Sequence, residues 1–250
     1  MADYIEGKRP VIEAFRARVP LKAVYLGDFV KRDALVNDIM RKAKREGVRI
    51  DMVPRSFLDD RSERGSHQGV LAETKPYPYV GIGEIIAAAD EYAAAHDGRA
   101  LVVMLDHITD TGNFGAVVRS AEAVGATGLV IPNKRSVRVE ASTYKTSAGA
   151  IAAMPVAQVS NLVQSIERLK KAGFWVAAAT EHTDEVIWKT NLKGKIALVM
   201  GNEQEGVSRL VLEHCDLFAK LPLEGTIASL NVAQAATACM YEWLRQNIAV

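Results

Sequence analysis

The chain has 250 residues, 49% hydrophobic and 24% charged, with 31 Lys+Arg against 30 Asp+Glu for a formal net charge of +1. That composition excludes wholesale disorder and supplies enough chain for one or two domains with real cores. No apolar run approaches the roughly 20 residues of a membrane span, residues 1–10 lack the apolar core of a secretory signal, and Cys215 and Cys239 are too few for a disulfide framework, so a reducing cytoplasm is expected.

In chain order, apolar spacing predicts a helix over 10–18, a strand over 23–26 and a helix over 31–46, with Leu35, Ile39 and Met40 on its buried face. Gly47 stops that helix, and alternation over 48–53 predicts a strand. A short helix near 56–61 and a strand over 70–74 complete a small α/β unit. Residues 1–75 carry 16 Lys+Arg and 12 Asp+Glu, a net of +4, whereas 76–250 carry 15 and 18, a net of −3. The basic residues concentrate at Arg41, Lys42, Lys44, Arg45 and Arg49, which taken alone read as a solvated helix face. The uneven split suggests a division of labour between the two parts. Two prolines and two glycines within 75–83 interrupt regular structure, so 76–83 reads as a linker between domains at 1–75 and 84–250.

Beyond the linker, helix is predicted over 84–96, strand over 101–105, helix over 114–124 and strand over 128–131. A helix over 160–172, strands over 174–179, 196–200 and 217–220, and a final helix over 230–246 follow. Strands alternating with helices make this an α/β domain with a mostly parallel sheet covered on both faces. The usual nucleotide signatures fail. Gly81-Ile-Gly83 lacks the third glycine of a dinucleotide fingerprint, and neither a P-loop nor a G-x-S-x-G elbow occurs. The histidines and cysteines lack metal-ligand spacing, so no metal is expected.

What remains are three polar, glycine-bearing segments, each placed directly after an apolar strand, where ligands of open parallel sheets bind. In the first, Asn113 can cap a helix, Gly115 allows close packing, and Arg119 lies within the first two turns. In the second, a buried strand ends in Gly201, Asn202 and Glu203; Gly201 suits either close approach to a ligand or an ordinary strand-to-helix turn. In the third, Ser229 and Asn231 bracket the start of an Ala-rich helix, either as caps or as the lining of a site.

Together these segments resemble the SpoU family of RNA 2′-O-ribose methyltransferases, within the knotted SPOUT superfamily. The asparagine-x-glycine-x-x-x-arginine pattern is met by Asn113, Gly115 and Arg119, the glycine-x-glutamate pattern by Gly201 and Glu203, and serine-leucine-asparagine by Ser229, Leu230 and Asn231. The likeness covers residues 101–250. Tyr4 to Gly7 and the stretch from Gly65 through His67 to Val70 look like the small RNA-binding, ribosomal-protein-like domain fused to many members; without the resemblance, His67-Gln-Gly is a turn entering a strand. Within the family, the whole chain is most similar to the 23S rRNA guanosine-2′-O-methyltransferases. Thr111, Gln204 and Ala233 depart from commoner family residues without removing a proposed functional side chain.

The resemblance implies a C-terminal trefoil knot, S-adenosylmethionine as cofactor, and attack of a ribose 2′-hydroxyl on its methyl group. It makes Arg119 the residue that activates or orients the hydroxyl, by position and charge since arginine normally stays protonated, with general-base action as the alternative. Asn113, Glu203, Ser229 and Asn231 are implied to shape the site and hydrogen-bond the ribose or Arg119. Cofactor contacts fall near Gly201, Leu221 and Leu230, largely from backbone. The implied partners are RNA, in the form of 23S rRNA or a ribosome-assembly intermediate, and a second copy of the chain in a homodimer, with no membrane. The alternatives are the same chemistry on tRNA or another rRNA nucleotide, and a non-catalytic RNA-binding or ribosome-assembly protein.

Overall fold

A computed structural model describes residues 4–63, 65–227 and 229–248; residues 1–3, which open the chain discussed above, lie outside it. The chain forms two compact units, 4–78 with 139–152, and 79–138 with 153–248. The sequence reading did not anticipate the return of 139–152 to the first unit.

The first unit is a four-stranded sheet in the order β1-β4-β2-β3, built from β1 (Tyr4–Glu6), β2 (Leu21–Gly27), β3 (Arg49–Val53) and β4 (Val70–Thr74). β4 runs antiparallel to both β1 and β2, and β2 is parallel to β3. Parallel pairing needs a crossover, which α2 (Ala34–Glu46) supplies between β2 and β3. Asp33 caps α2 by accepting the Val36 N–H at 2.9 Å, and Gly47 ends it in the left-handed region with φ 65°. α1 (Lys8–Arg16) starts two residues earlier than its periodicity predicts and buries Val11, Ile12, Ala14 and Phe15. α6 (Ala141–Thr146) packs on α1, and α3 (Arg55–Asp59) follows β3. The basic run is ion-paired in part: Arg41 with Asp38, Arg45 with Glu46 and Arg49 with Asp51, all exposed cations, as for a solvated face.

The second unit is a six-stranded sheet in the order β10-β8-β9-β5-β6-β7, with every pairing parallel. Its strands are β5 (Ala100–Asp106), β6 (Gly128–Pro132), β7 (Val156–Val159), β8 (Trp175–Ala179), β9 (Lys195–Gly201) and β10 (Leu217–Ala219). β5 is buried at all seven positions, as a central parallel strand must be when both sheet faces are covered. The covering helices are α4 (Ile82–Ala95), α5 (Thr111–Ala123), α7 (Leu162–Lys171), α8 (Arg209–Leu212) and α9 (Val232–Asn247). One core layer joins Ile85 and Ala89 of α4 and Ile166 and Leu169 of α7 to Val102, Met104, Val176 and Val199 of the sheet. The expected mostly parallel α/β sheet is therefore present, and wholly parallel.

Part of the expected linker is regular structure. Val80 bridges to Ala157 beside β7, and α4 begins at Ile82, with the Gly81 N–H donating to Glu84 Oε2 at 2.7 Å. No described helix is long and apolar enough to cross a membrane.

Candidate active site

Parallel strands bring their carboxyl ends to one edge of the sheet. Here the register sets Asp106 opposite Gly201, Met200 opposite Ala179, and Ala179 opposite Ala219. The loops leaving three adjacent strands, β8, β9 and β10, therefore open at the same place. They enclose a cavity of about 370 Å³, lined by Thr180 and Glu181 after β8, by 201–204 after β9, and by Lys220, Leu221 and Leu223 after β10. Ser229, Leu230 and Val232 close it from the start of α9.

Gly201 sits where the loop after β9 folds back on the strand. A Cβ there would lie 1.9 Å from the Gly206 carbonyl carbon and 2.1 Å from the Val207 nitrogen. The backbone that demands glycine is thus first the protein's own. Asn202 tightens the turn: its Oδ1 accepts the N–H groups of Gln204 at 2.9 Å and Glu205 at 2.7 Å. Asp106, buried at the end of β5, anchors the far side by accepting the Ser208 N–H at 2.8 Å through Oδ2, and its Oδ1 meets His107 Nδ1 at 2.5 Å. Sequence reasoning passed over Asp106; the available signal was a carboxylate ending an otherwise apolar strand.

The first segment differs from expectation at its cap. Asp110, not Asn113, caps α5, accepting the Asn113 N–H at 2.7 Å. Asn113 stands at the third helical position, which frees its side chain for a different task. Its Nδ2 donates a short hydrogen bond to Glu203 Oε1, and its Oδ1 accepts from Asn231 Nδ2 at 2.9 Å. Asn231 uses its own Oδ1 to cap α9 through the Ala233 N–H at 2.9 Å. The direction of this chain is set chemically. An ionised carboxylate only accepts, so the amide of Asn113 must face Glu203, and the capping demand turns the amide of Asn231 toward Asn113. Three segments separated by 90 and 118 residues are thereby joined. A second link, Ser120 Oγ to Thr237 Oγ1 at 2.7 Å, holds α5 against α9.

Five of the sequence candidates, Gly201, Glu203, Leu221, Ser229 and Leu230, line the cavity, and Asn113 and Asn231 reach it through Glu203. Arg119 is not brought to it. Six residues along a helix is a rise of about 9 Å and a turn of about 120° away from Asn113. The arginine is exposed and makes no hydrogen bond or ion pair among the described residues. A cavity of this volume falls in the range of small-ligand sites, about 300–1,000 Å³. Its leucines offer apolar surface for a flat ring, its loops offer backbone groups, and Glu181 and Glu203 offer carboxylates to a cationic group.

The family model described as the SpoU rRNA Methylase family matches residues 100–241, more than half the chain and the whole of this site. The chain belongs to this family. A second model, RNA 2′-O ribose methyltransferase substrate binding, matches residues 4–80. Among relatives of this SpoU methylase, YacO of Bacillus subtilis (strain 168), assigned to the TrmH family of tRNA/rRNA methyltransferases, is 37% identical over 246 residues, covering 98% of this chain and 96% of its own. The fold is that of the SpoU methyltransferase AviRb from Streptomyces viridochromogenes in complex with AdoMet, at 23% identity and a TM-score of 0.67 over 98% of this chain and 90% of that one. The A. aeolicus TrmH/SpoU tRNA modifying enzyme matches at 26% identity and a TM-score of 0.55 over 66% and 83% of the two chains. The SpoU methylases are RNA methyltransferases that use S-adenosylmethionine, and this chain is one of them.

Proposed function

We propose that this chain methylates the 2′-hydroxyl of a guanosine ribose in 23S rRNA, free or within a ribosome-assembly intermediate. The observation that carries the reading is the Asn231–Asn113–Glu203 relay, which presents a positioned carboxylate at the mouth of the cavity. S-adenosylmethionine, when bound, supplies a methyl group already activated on a sulfonium. The loops around Gly201, Leu221 and Leu230 suit it, through apolar lining and backbone groups, with the rim carboxylates complementing its positive charge. That methyl would pass to the ribose oxygen with the neutral thioether as leaving group, the hydroxyl proton going to Glu203 or to solvent. Glu203 Oε1 is engaged by Asn113, so Oε2, which accepts no hydrogen bond among the described residues, is the atom to receive and orient that hydroxyl. Ser229 faces the same space. Arg119, exposed and unpaired, suits an RNA phosphate beside the reacting ribose, where its charge holds the substrate in line.

The unit at 4–78 with 139–152 then serves RNA recognition and the second unit catalysis. The family resemblance adds a trefoil knot in the loops around the cavity, a homodimer and a cytoplasmic location. Relatives named for both tRNA and rRNA leave tRNA as the competing substrate. Incubating the protein with labelled S-adenosylmethionine and unmodified 23S rRNA or tRNA, then mapping alkali-resistant linkages, decides between them. A guanosine in 23S rRNA is the expected position; label confined to tRNA overturns the rRNA assignment, and no label in either overturns the enzyme reading. Arg119→Ala is expected to lower transfer about 100-fold or more with thermal stability within about 0.5 kcal/mol. Full activity in that variant removes Arg119 from the mechanism.

A further inference from the structure

The first unit carries an exposed aromatic ring whose position is fixed by backbone. Phe29 follows β2 and remains 42% exposed. Its ring lies across the paired ends of β2 and β4, where the Gly27 N–H donates to the Gly69 carbonyl at 2.9 Å. A Cβ on Gly27 would stand 2.4 Å from Phe29 Cε1, and one on Gly69 would stand 2.0 Å from Val30 Cγ2. Both glycines leave the room in which the Phe29–Val30 loop rests. The Gly69 side is held by His67, whose Nδ1 accepts the Gly69 N–H at 2.9 Å, leaving the Nε2 proton for Asp59 Oδ1 at 2.9 Å.

Arg55 places its guanidinium carbon 4.4 Å from the Phe29 ring centroid. A second arginine–aromatic pair nearby behaves differently: Arg61 lies 3.7 Å from the Phe57 centroid but spends a donor on the Phe57 carbonyl and is half-buried. Arg55 is exposed and makes no hydrogen bond or ion pair among the described residues, and the same holds for Lys31 and Arg32 just beyond Phe29. Asp33, the next carboxylate along the chain, is already committed to Lys8 and to capping α2. An exposed guanidinium over an aromatic ring, with Lys31 and Arg32 nearby in sequence, has the chemistry that stacks an unpaired nucleobase and meets its phosphate.

We propose that Phe29 and Arg55 form a stacking platform for one unpaired base of the RNA substrate, with Lys31 and Arg32 on the adjoining phosphates. This rests on the RNA methyltransferase reading and adds to it a specific element of recognition: the RNA must present a single-stranded or extruded nucleotide to the first unit. The platform selects for unstacked RNA and not for charge alone, which separates it from the partly ion-paired face of α2.

The test uses the full-length protein and a fluorescein-labelled, mixed-sequence 12-nucleotide RNA, single-stranded or annealed to its complement, with binding read by anisotropy across a salt series. Arg55→Lys keeps the charge and loses the plane; it is expected to weaken single-strand binding at least fivefold, with the salt slope unchanged and duplex binding within twofold. Arg55→Ala is expected to weaken it further and to reduce the slope by about 0.7, the loss of one phosphate contact on a single strand. Phe29→Leu, which keeps an apolar plug over Gly27, is expected to match Arg55→Lys. Single-strand binding by Arg55→Lys within twofold of native, equal losses on duplex and single strand, or no measurable binding of the native protein to the single strand each overturn the platform. Methyl transfer by the native protein to 23S rRNA and tRNA, run in parallel, shows separately whether the underlying enzyme reading stands.

Discussion

Asn231 performs two tasks with the two ends of one amide, and they can be separated by experiment. Asp is as good a helix cap as Asn, so Asn231→Asp keeps the bond to the Ala233 N–H. It removes the donor that faces Asn113 and sets a carboxylate there, inviting the Asn113 amide to turn away from Glu203. Thermal stability is expected to stay within about 1 kcal/mol, while methyl transfer falls at least tenfold; equal activity in native and variant shows that the relay does not matter for the reaction. Gly201→Ala acts differently, because its Cβ meets backbone rather than a movable side chain. It is expected to cost about 1–3 kcal/mol, as overpacking does, and to weaken S-adenosylmethionine binding measured by calorimetry as the 201–207 loop shifts. Gly201 and Glu203 were legible as candidates because they close a buried apolar strand, and Ser229 and Asn231 because they bracket the start of an Ala-rich helix. The exchange of caps between Asp110 and Asn113 was not, since both are good caps and three residues separate them; only the demand of Glu203 for a donor decides it.

Among the elements, the buried parallel strands were the most readable: β5, β6, β8 and β9 lie within one residue of their expected ends. β1 was missed because three half-buried residues carry no periodicity, and α6 because Ala-Ser-Thr-Tyr-Lys-Thr has no apolar stripe. β7 hides in an apolar run after Pro155 that does not alternate. β4 holds a feature that no pattern reveals, the carboxylate of Glu73 in a fully buried strand. It accepts from Lys22 Nζ and the Tyr25 hydroxyl, each at 2.6 Å, and these donors hold its pKa below the ordinary 4.5. Glu242 of α9 is lowered likewise, chiefly by Arg245. A lowered carboxylate contributes stability that is full above the ordinary value and lost as pH falls through the folded one. Acid unfolding followed by circular dichroism should therefore begin below about pH 4.5. Tyr25→Phe should move its midpoint to higher pH and cost about 1.5–3 kcal/mol at neutrality; an unmoved midpoint excludes Glu73 as a contributor.

For the whole molecule, a net charge of +1 conceals a basic N-terminal part and an acidic remainder. That split pointed to two jobs, yet Arg41 and Arg45 of α2 and Arg49 of β3 are paired with neighbouring carboxylates, and further cations without an ion pair among the described residues lie around Phe29. Charge counting points to a unit and not to a surface, because pairing is a property of the fold. Removing residues 1–75 would be a poor test of RNA recognition, since it strips α6 of its packing partner α1. Substitutions that leave the unit whole are the better probe.

The return of 139–152 to the first unit also orders events during synthesis. The first unit cannot complete its packing when residue 78 leaves the ribosome; it waits for residue 152, 74 residues later. At 5–20 residues per second that is a delay of about 4–15 s. During that time β5 and β6 of the second sheet emerge, while their neighbour β9 has yet to be made. The nascent chain therefore carries a first sheet still lacking its α6 cover beside an incomplete second sheet, and a pause in translation just after residue 152 would let the first unit close before the second begins to assemble around β9.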